Sequence, residues 1–274
     1  MRILLSFCLT VLCICTVFSQ KEKIGFRLYS FEEGLSHRNT FKIQQDPHGF
    51  IWIATINGLN KYDGTRFVHY SNLSKENFIP QNYVSELLIT SDTVLWMAGE
   101  NNLTVLDGNS FRYKKINASK DSEIYNKTRT PGSLVEDDAG NIWNITYNKS
   151  SGESFLQKLG KDDRLQDVMK CEGNATKRGM IWANQYLYFA NKENELLKME
   201  SGGKVVRQYN FPKVKNTEAW VVQLQMTDDG VLWALLDDGR LFYLPDGEIE
   251  FRKYNVVKPI SVRQVVNTFL VEKN

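Results

Sequence analysis

Hydrophobic and polar residues alternate along this chain in short runs, and clusters of turn-forming residues divide the runs. Thr40-Phe-Lys-Ile-Gln-Gln45 is short and alternating, the pattern of a strand with unlike faces. Asp46-Pro-His-Gly49 follows and has the composition of a β-turn, with Asp first, Pro second and Gly fourth. Phe50-Ile-Trp-Ile-Ala54 is continuously apolar, as in a strand buried on both faces. Asn57-Gly58 predicts a hairpin, Leu59–Tyr62 a third strand, Asp63-Gly64 a second hairpin turn and Arg66–Tyr70 a fourth strand. The plan returns as Asn82–Ile89, Val94–Ala98, Leu103–Leu106, the turn Asp107-Gly108 and Phe111–Tyr113. It returns again as Thr227–Gly230, Val231–Leu235, Asp238-Gly239, Arg240–Leu244 and Asp246-Gly247. No helical period competes over any long window.

A tryptophan marks each unit. Trp52, Trp96, Trp143, Trp182 and Trp233 follow Ile51, Leu95, Ile142, Ile181 and Leu232, and Gly49, Gly140, Gly179 and Gly230 stand three residues ahead of four of them. Thr93 takes that place in the second unit, and the third and fourth units are the most degenerate. A period of about 45 residues denotes stacked supersecondary units. Four strands per unit with a recurrent tryptophan predict an all-β fold, a β-propeller of four-stranded blades centred on those five tryptophans. The tryptophans are then packing between adjacent blades, and the glycine lets the turn take a positive φ. With the next tryptophan due near position 278 and Val262–Leu270 reading as a first strand, the chain holds about five blades and part of a sixth.

The N-terminus adds a destination. One positive charge at Arg2 precedes an apolar run from Ile3 to Phe18, and Val17-Phe-Ser19 closes it. This predicts a signal peptide over residues 1–19, cleaved near Ser19 or Gln20. The run is shorter than the roughly 20 residues a spanning helix needs. Residues 20–274 are then an exported propeller domain. Cys8, Cys13 and Cys15 leave with the peptide and Cys171 remains, so no intramolecular disulfide is expected. Removing Arg2 leaves 33 basic and 32 acidic side chains, a balance that argues against a nucleic-acid or anionic-membrane partner.

From Gly34 the sequence takes on a family character. Gly34-Leu-Ser-His37, Gln45-Asp-Pro-His-Gly-Phe-Ile-Trp-Ile-Ala-Thr55 and Gly58-Leu-Asn-Lys-Tyr-Asp-Gly64 closely resemble the two-component regulator propeller repeat. The resemblance is specific in the first unit, fair in the second and fifth and weak in the third and fourth, and it covers about residues 26–274. It implies the periplasmic sensor of a Bacteroidetes hybrid two-component histidine kinase, built from seven-bladed propellers. In such proteins a β-sandwich, a transmembrane helix, a kinase core and often a receiver follow. It further implies glycan fragments as ligands, the remaining blades and sensor-kinase modules as partners, and a homodimer. This chain is expected to depart from that pattern by ending at Asn274, in what reads as the first strand of a further blade. Phe26–Phe31 would supply the strand that closes a completed ring. Two arrangements stay open: a truncated seven-bladed ring and a closed five-bladed ring with a frayed tail.

Ligands of propellers commonly bind where the innermost strands open onto the channel. Counting 14 and 13 residues back from each tryptophan reaches Arg38 and Asn39, Asn82 and Tyr83, Arg129 and Thr130, Val168 and Met169, and Ala219 and Trp220. Of these, Arg38, Asn39, Asn82, Tyr83, Arg129 and Trp220 have the chemistry for an oligosaccharide, with planar donors for hydroxyls and aromatic faces for rings. Trp220 is the one tryptophan outside the repeat register. The plain alternative is that all six are ordinary loop residues.

Other chemistry is thinner. His37, His48 and His69 lack metal-site spacing, and Asp137-Asp138, Asp228-Asp229 and Asp237-Asp238 lie beside glycines as turn formers do. Cys171 has no neighbours that mark a nucleophile. Asn-x-Ser/Thr triplets at Asn72, Asn102, Asn117, Asn126, Asn144, Asn148 and Asn174 are read as products of composition. No catalytic residue, metal or cofactor is expected. The reading is a non-catalytic, extracytoplasmic ligand sensor. A propeller-fold carbohydrate-active enzyme stays open because fold alone does not exclude it, as does a stand-alone interaction propeller or remnant. None of the channel-mouth positions is acidic, whereas glycoside hydrolysis needs a carboxylate pair.

Overall fold

The structure, a computed structural model, describes residues 28–99, 103–107, 113–115, 129–148, 150–160, 165–171, 179–191, 195–212 and 219–254. The predicted signal peptide, the strand at Val262–Leu270, and Gly108 and Phe111 lie outside the described residues. So do Phe26 of the closing strand and the triplet asparagines 102, 117, 126 and 174. Among the described residues there is no helix.

The described residues fold into five antiparallel four-stranded sheets in sequence order, a β-propeller. Blade 1 is β1 (Thr40–Gln45), β2 (Ile51–Thr55), β3 (Gly58–Tyr62) and β4 (Phe67–Tyr70). Blade 2 is β5 (Val84–Ile89), β6 (Val94–Gly99), β7 (Leu103–Asp107) and β8 (Tyr113–Lys115). Blade 3 is β9 (Arg129–Glu136), β10 (Ile142–Asn148), β11 (Glu153–Leu159) and β12 (Leu165–Cys171). Blade 4 is β13 (Met180–Ala183), β14 (Tyr186–Ala190), β15 (Glu195–Glu200) and β16 (Val205–Asn210). Blade 5 is β17 (Val221–Met226), β18 (Leu232–Leu236), β19 (Leu241–Leu244) and β20 (Arg252–Tyr254). The first strands pack side by side, β1 on β5, β5 on β9, β9 on β13 and β13 on β17. Among the described residues no packing of that extent joins β17 to β1.

The core lies in the seams. Trp52, Ala54, Leu59 and Tyr70 of blade 1 pack on Val84, Leu87, Leu95 and Met97 of blade 2. Trp143, Ile145 and Leu156 of blade 3 pack in the same way on Leu187, Phe189, Leu197 and Met199 of blade 4. Polar bridges tie neighbouring blades as well. Ile89 N–H donates to Gln44 Oε1 at 2.8 Å, Ser91 N–H to Glu136 Oε2 at 2.8 Å, and Lys158 Nζ to the Ser201 carbonyl at 2.9 Å.

The turn before the tryptophan is held by one carboxylate. Asp46 Oδ1 accepts the His48 and Phe50 N–H groups at 3.0 Å each, and its Oδ2 accepts the Trp52 indole N–H at 2.7 Å. Asp137 repeats this, with Oδ1 taking Ala139 and Asn141 N–H and Oδ2 the Trp143 indole at 3.0 Å. Both tryptophans are fully buried. Blades 2 and 5 carry Thr90 and Thr227 at that place, whose hydroxyls donate to the Val94 and Val231 carbonyls instead. Trp96 and Trp233 are only half-buried.

The fourth tryptophan corrects the expected register. Trp182 lies on β13, the first strand of its blade, whereas Trp52, Trp96, Trp143 and Trp233 lie on second strands. It packs toward blade 3, beside Met180. Tyr188 on β14 holds the equivalent place: it faces Lys198 across the ladder as Trp52 faces Lys61 and Trp143 faces Lys158, and it packs on blade 5. The cause is a shortened hairpin. Asn184 and Gln185, both with positive φ, join β13 to β14 directly, as a two-residue turn does, and the four-residue Asp-x-x-Gly turn is dropped. Gly179 accordingly has no positive φ. It is instead a close approach to blade 5, its N–H donating to the Val221 carbonyl at 2.7 Å.

Candidate functional site at the channel end of blades 1 and 2

The beginnings of β1 and β5 and the β2–β3 hairpin are stitched together. Ile56 N–H donates to the Asn39 carbonyl at 3.3 Å, and two residues on Gly58 N–H donates to the Asn82 carbonyl at 2.5 Å. Asn82 Oδ1 accepts the Asn72 N–H at 2.9 Å. Asn39 N–H donates to His37 Nδ1 at 2.9 Å. Arg38 and Asn39 are exposed, and Asn82 and Tyr83 are half-buried. The structure therefore brings four of the six predicted site residues to one end of two adjacent blades.

Trp220 stands at the corresponding place in blade 5, its N–H on Asp237 Oδ1 at 3.0 Å and its carbonyl accepting Asp237 N–H at 2.9 Å. Arg129 opens β9 opposite Asn148; its side chain is not among the described ones. Val168 and Met169 are misplaced by the blade-4 register: they lie on β12, the outermost strand of blade 3, because Trp182 is not the repeat tryptophan.

Counting from the tryptophans passes over a residue that the fold does present. Each of β1, β5 and β17 carries a register shift at the same point, leaving Phe41, Ser85 and Val222 unpaired. Such bulges re-aim side chains next to binding sites. Phe41 is exposed and its ring lies 5.2 Å from that of Tyr83 at 57°, so two aromatic faces stand together at the strand starts that carry Arg38, Asn39 and Asn82. The signal in sequence is the lone aromatic eleven residues before a repeat tryptophan. One residue on, Lys42 Nζ is 3.2 Å from Glu86 Oε1 across the blade 1–blade 2 seam. Burial pushes the Glu86 carboxyl up, and the Lys42 charge partly offsets this.

The remaining chemistry is structural where it is described. His69 Nε2 is 2.7 Å from the Asn57 carbonyl, and among the described residues no three His, Cys, Asp or Glu side chains converge as metal ligands. Cys171 is buried in the blade 3–blade 4 seam. Asp137 and Asp237 are turn and cap acceptors, and Asp238 pairs with Arg240 at 2.6 Å. Asn144 is buried inside β10.

No family model matches the chain. A stretch of 54 residues, 20% of this chain, is 37% identical to histidine kinase P4 of Formosa agariphila, of which it covers 4%. Among solved structures, the extracellular domain of BT4673 from B. thetaiotaomicron, designated a hybrid two component system, superposes with a TM-score of 0.58 at 19% identity over 80% of this chain. A protein designated a gluconolactonase superposes with a TM-score of 0.55 at 13% identity, covering 78% of this chain and 77% of its own. Likeness at such identities shows the propeller fold. The chain spans 28% of the BT4673 domain and 4% of the kinase. The neighbours thus include extracellular domains of two-component systems as well as a protein designated an enzyme.

Proposed function

We propose that this chain is part of the extracytoplasmic sensor of a hybrid two-component signalling protein, exported to the periplasm, and that it binds an oligosaccharide without turning it over. The observation that carries the ligand class is the Phe41–Tyr83 ring pair at the strand starts that carry exposed Arg38 and Asn39. Sugar rings present C–H faces to aromatic rings, while their hydroxyls take planar donors and acceptors. The sensor reading draws on the stretch shared with a histidine kinase and on the extracellular two-component domain among the structural neighbours.

The blade faces support a ring with further blades. Ile43 is 60% exposed, whereas Leu87, Leu134 and Leu224, at the same strand position in blades 2, 3 and 5, are 1%, 7% and 8% exposed. At the other end Trp233, Tyr243 and Tyr254 form an aromatic cluster with Tyr254 exposed. Both faces have the composition of a seam, and the reading assigns them to blades beyond those described. A dimer of the full sensor remains part of the same proposal.

Titration of a glycan panel against the chain and its Phe41→Ala and Tyr83→Ala variants tests the ligand. Aromatic faces of this kind predict at least a tenfold loss of affinity in each variant, about 1.4 kcal/mol. Binding unchanged in both, or product released from the glycans, would overturn the reading.

A further inference from the structure

The seam between blades 2 and 3 contains a buried polar set on β10 and β11. Asn144 on β10 faces Gln157 on β11, with Thr146 next on the same face. The three are 1%, 0% and 1% exposed respectively. Asn144 Nδ2 and Oδ1, Thr146 Oγ1 and Gln157 Oε1 have no hydrogen-bond partner among the described residues. Gln157 Nε2 donates to Asp167 Oδ1 at 2.6 Å, which fixes the amide with its oxygen left over. Around them the seam is apolar, formed by Leu103, Val105, Leu134, Ile142 and Leu159.

The other blades show what such positions require. In blades 4 and 5 the pair corresponding to Asn144 and Gln157 is Phe189 with Leu197 and Ala234 with Phe242, which need no partner. In blade 1, Asn60 and Thr55 are polar and fully buried, and Ser36 satisfies both. Ser36 N–H donates to Asn60 Oδ1 at 3.0 Å, Asn60 Nδ2 donates to Ser36 Oγ at 2.7 Å, and Ser36 Oγ lies 3.1 Å from Thr55 Oγ1. One seam before the blade 3 set, Gln81 repeats the orphaned state: both its amide atoms are buried without partners, packed over Gly99, the residue at the Thr146 position of blade 2.

We propose that the blade 2–blade 3 seam binds internal water at Asn144, Thr146 and Gln157. The set offers two carbonyl oxygens that only accept, one amide N–H2 that only donates, and a hydroxyl that does either. An anion would meet the carbonyl oxygens, and a bare cation would meet the amide N–H2. Water donates twice and accepts twice, and it makes about three bonds when buried. Leaving buried polar atoms unpaired is disfavoured strongly enough that native seams rarely do it. Bridged by water, the seam stays closed while keeping Asn144 and Gln157 where blades 4 and 5 place apolar pairs.

A high-resolution crystal structure of the full chain, paired with magnetic relaxation dispersion of the solution, tests this. Density is expected within hydrogen-bond distance of at least two of the three side chains. The Asn144→Leu/Gln157→Leu variant is expected to lose about one long-lived internal water. If that variant fails to fold, Thr146→Val is the milder substitute, with a faster-exchanging site expected. A protein side chain filling the site in the crystal, as Ser36 does in blade 1, would overturn the proposal. So would an unchanged count of long-lived waters in the folded variant.

Discussion

Tyr188 stands directly opposite Lys198, whose ammonium lies 3.9 Å from the Tyr186 ring centroid and 5.5 Å from that of Tyr188. Lys61 covers Phe50 and Trp52 in the same way, at 3.6 and 5.4 Å. Cation–π contacts of this kind repay an ammonium that burial has stripped of water, and desolvation lowers the pKa of both lysines. Burial, the larger cause, and the nearby Tyr209, Tyr186 and Asp246 push the Tyr188 phenol up to about 12, so it stays a neutral packing ring.

Tyr188 is therefore the blade-4 equivalent of the repeat tryptophan. Tyr188→Ala is expected to destabilise by about 3–5 kcal/mol, as truncation of a buried aromatic does. Trp182→Phe removes a buried indole N–H that has no partner among the described residues, so stability is expected to stay level or rise. Urea unfolding of the two variants checks this, and equal losses would restore Trp182 to the repeat.

Thr93 occupies the turn position held by Gly49, Gly140 and Gly230 in blades 1, 3 and 5. It takes a φ of 66° where those glycines have 89°, 77° and 82°. A β-branched residue is strained in that region. Thr93→Gly is expected to raise stability by about 1 kcal/mol, the released strain exceeding the entropy a glycine adds to the unfolded chain. A shift of the unfolding midpoint to higher denaturant at unchanged slope is the readout.

The blades were legible because turn chemistry and apolar runs coincide in them. Asp46-Pro-His-Gly49 and Asn57-Gly58 fix both ends of β2, and strand β1 has the predicted bounds. Blade 4 departs from the sequence pattern because its identity rests on tertiary position. An Ile-Trp pair three residues after a glycine satisfied the local pattern, while Tyr188 keeps the spacing, 45 residues from both Trp143 and Trp233. At the channel end Asn39, Asn82 and Tyr83 were reached by counting. Phe41 lies eleven residues before Trp52, outside the counted positions, and only the bulge in β1 presents it beside Tyr83. The Asn144 set was invisible, since a polar residue in a strand reads as outward-facing until the neighbouring blade is placed over it.

Gly58 tests how tightly the first two blades are joined at the candidate site. Its φ is 90°, and a Cβ there would come within 2.2 Å of the Tyr70 carbonyl oxygen and 2.8 Å of His69 Nε2. Backbone cannot yield as a side-chain tip can. Gly58→Ala is expected to cost about 3 kcal/mol or more from the combined clash and positive φ. It also moves the donor to the Asn82 carbonyl, so glycan affinity should fall with it. Gly64, at a φ of 95° with nothing within 4 Å of the added methyl group, is the control. Gly64→Ala carries only the conformational cost, about 1 kcal/mol, and full binding.

Asp137 joins turn, tryptophan and neighbouring blade, and its ionisation should appear in the acid limb of stability. Burial by itself would raise its pKa. The bonds from the Asn141 side chain and backbone and the Trp143 indole, with the Lys158 charge, outweigh burial and hold it below the ordinary 3.8. A carboxyl whose pKa is depressed on folding contributes stability that is fully present above its unfolded pKa. That contribution is lost as pH falls through the lower folded value. Asp137→Asn keeps the shape but replaces one acceptor oxygen with a donor, set against either the indole N–H or the turn N–H groups. It is expected to cost about 2–4 kcal/mol at pH 7. The difference from the unsubstituted chain should begin to shrink as the pH drops below about 4, where the carboxyl of the unfolded chain protonates, and go on shrinking until the native carboxyl protonates at lower pH. Urea unfolding from pH 7 down to pH 2 measures both curves. A gap that stays constant over that range would show that the geometry of Asp137, and not its charge, holds the turn.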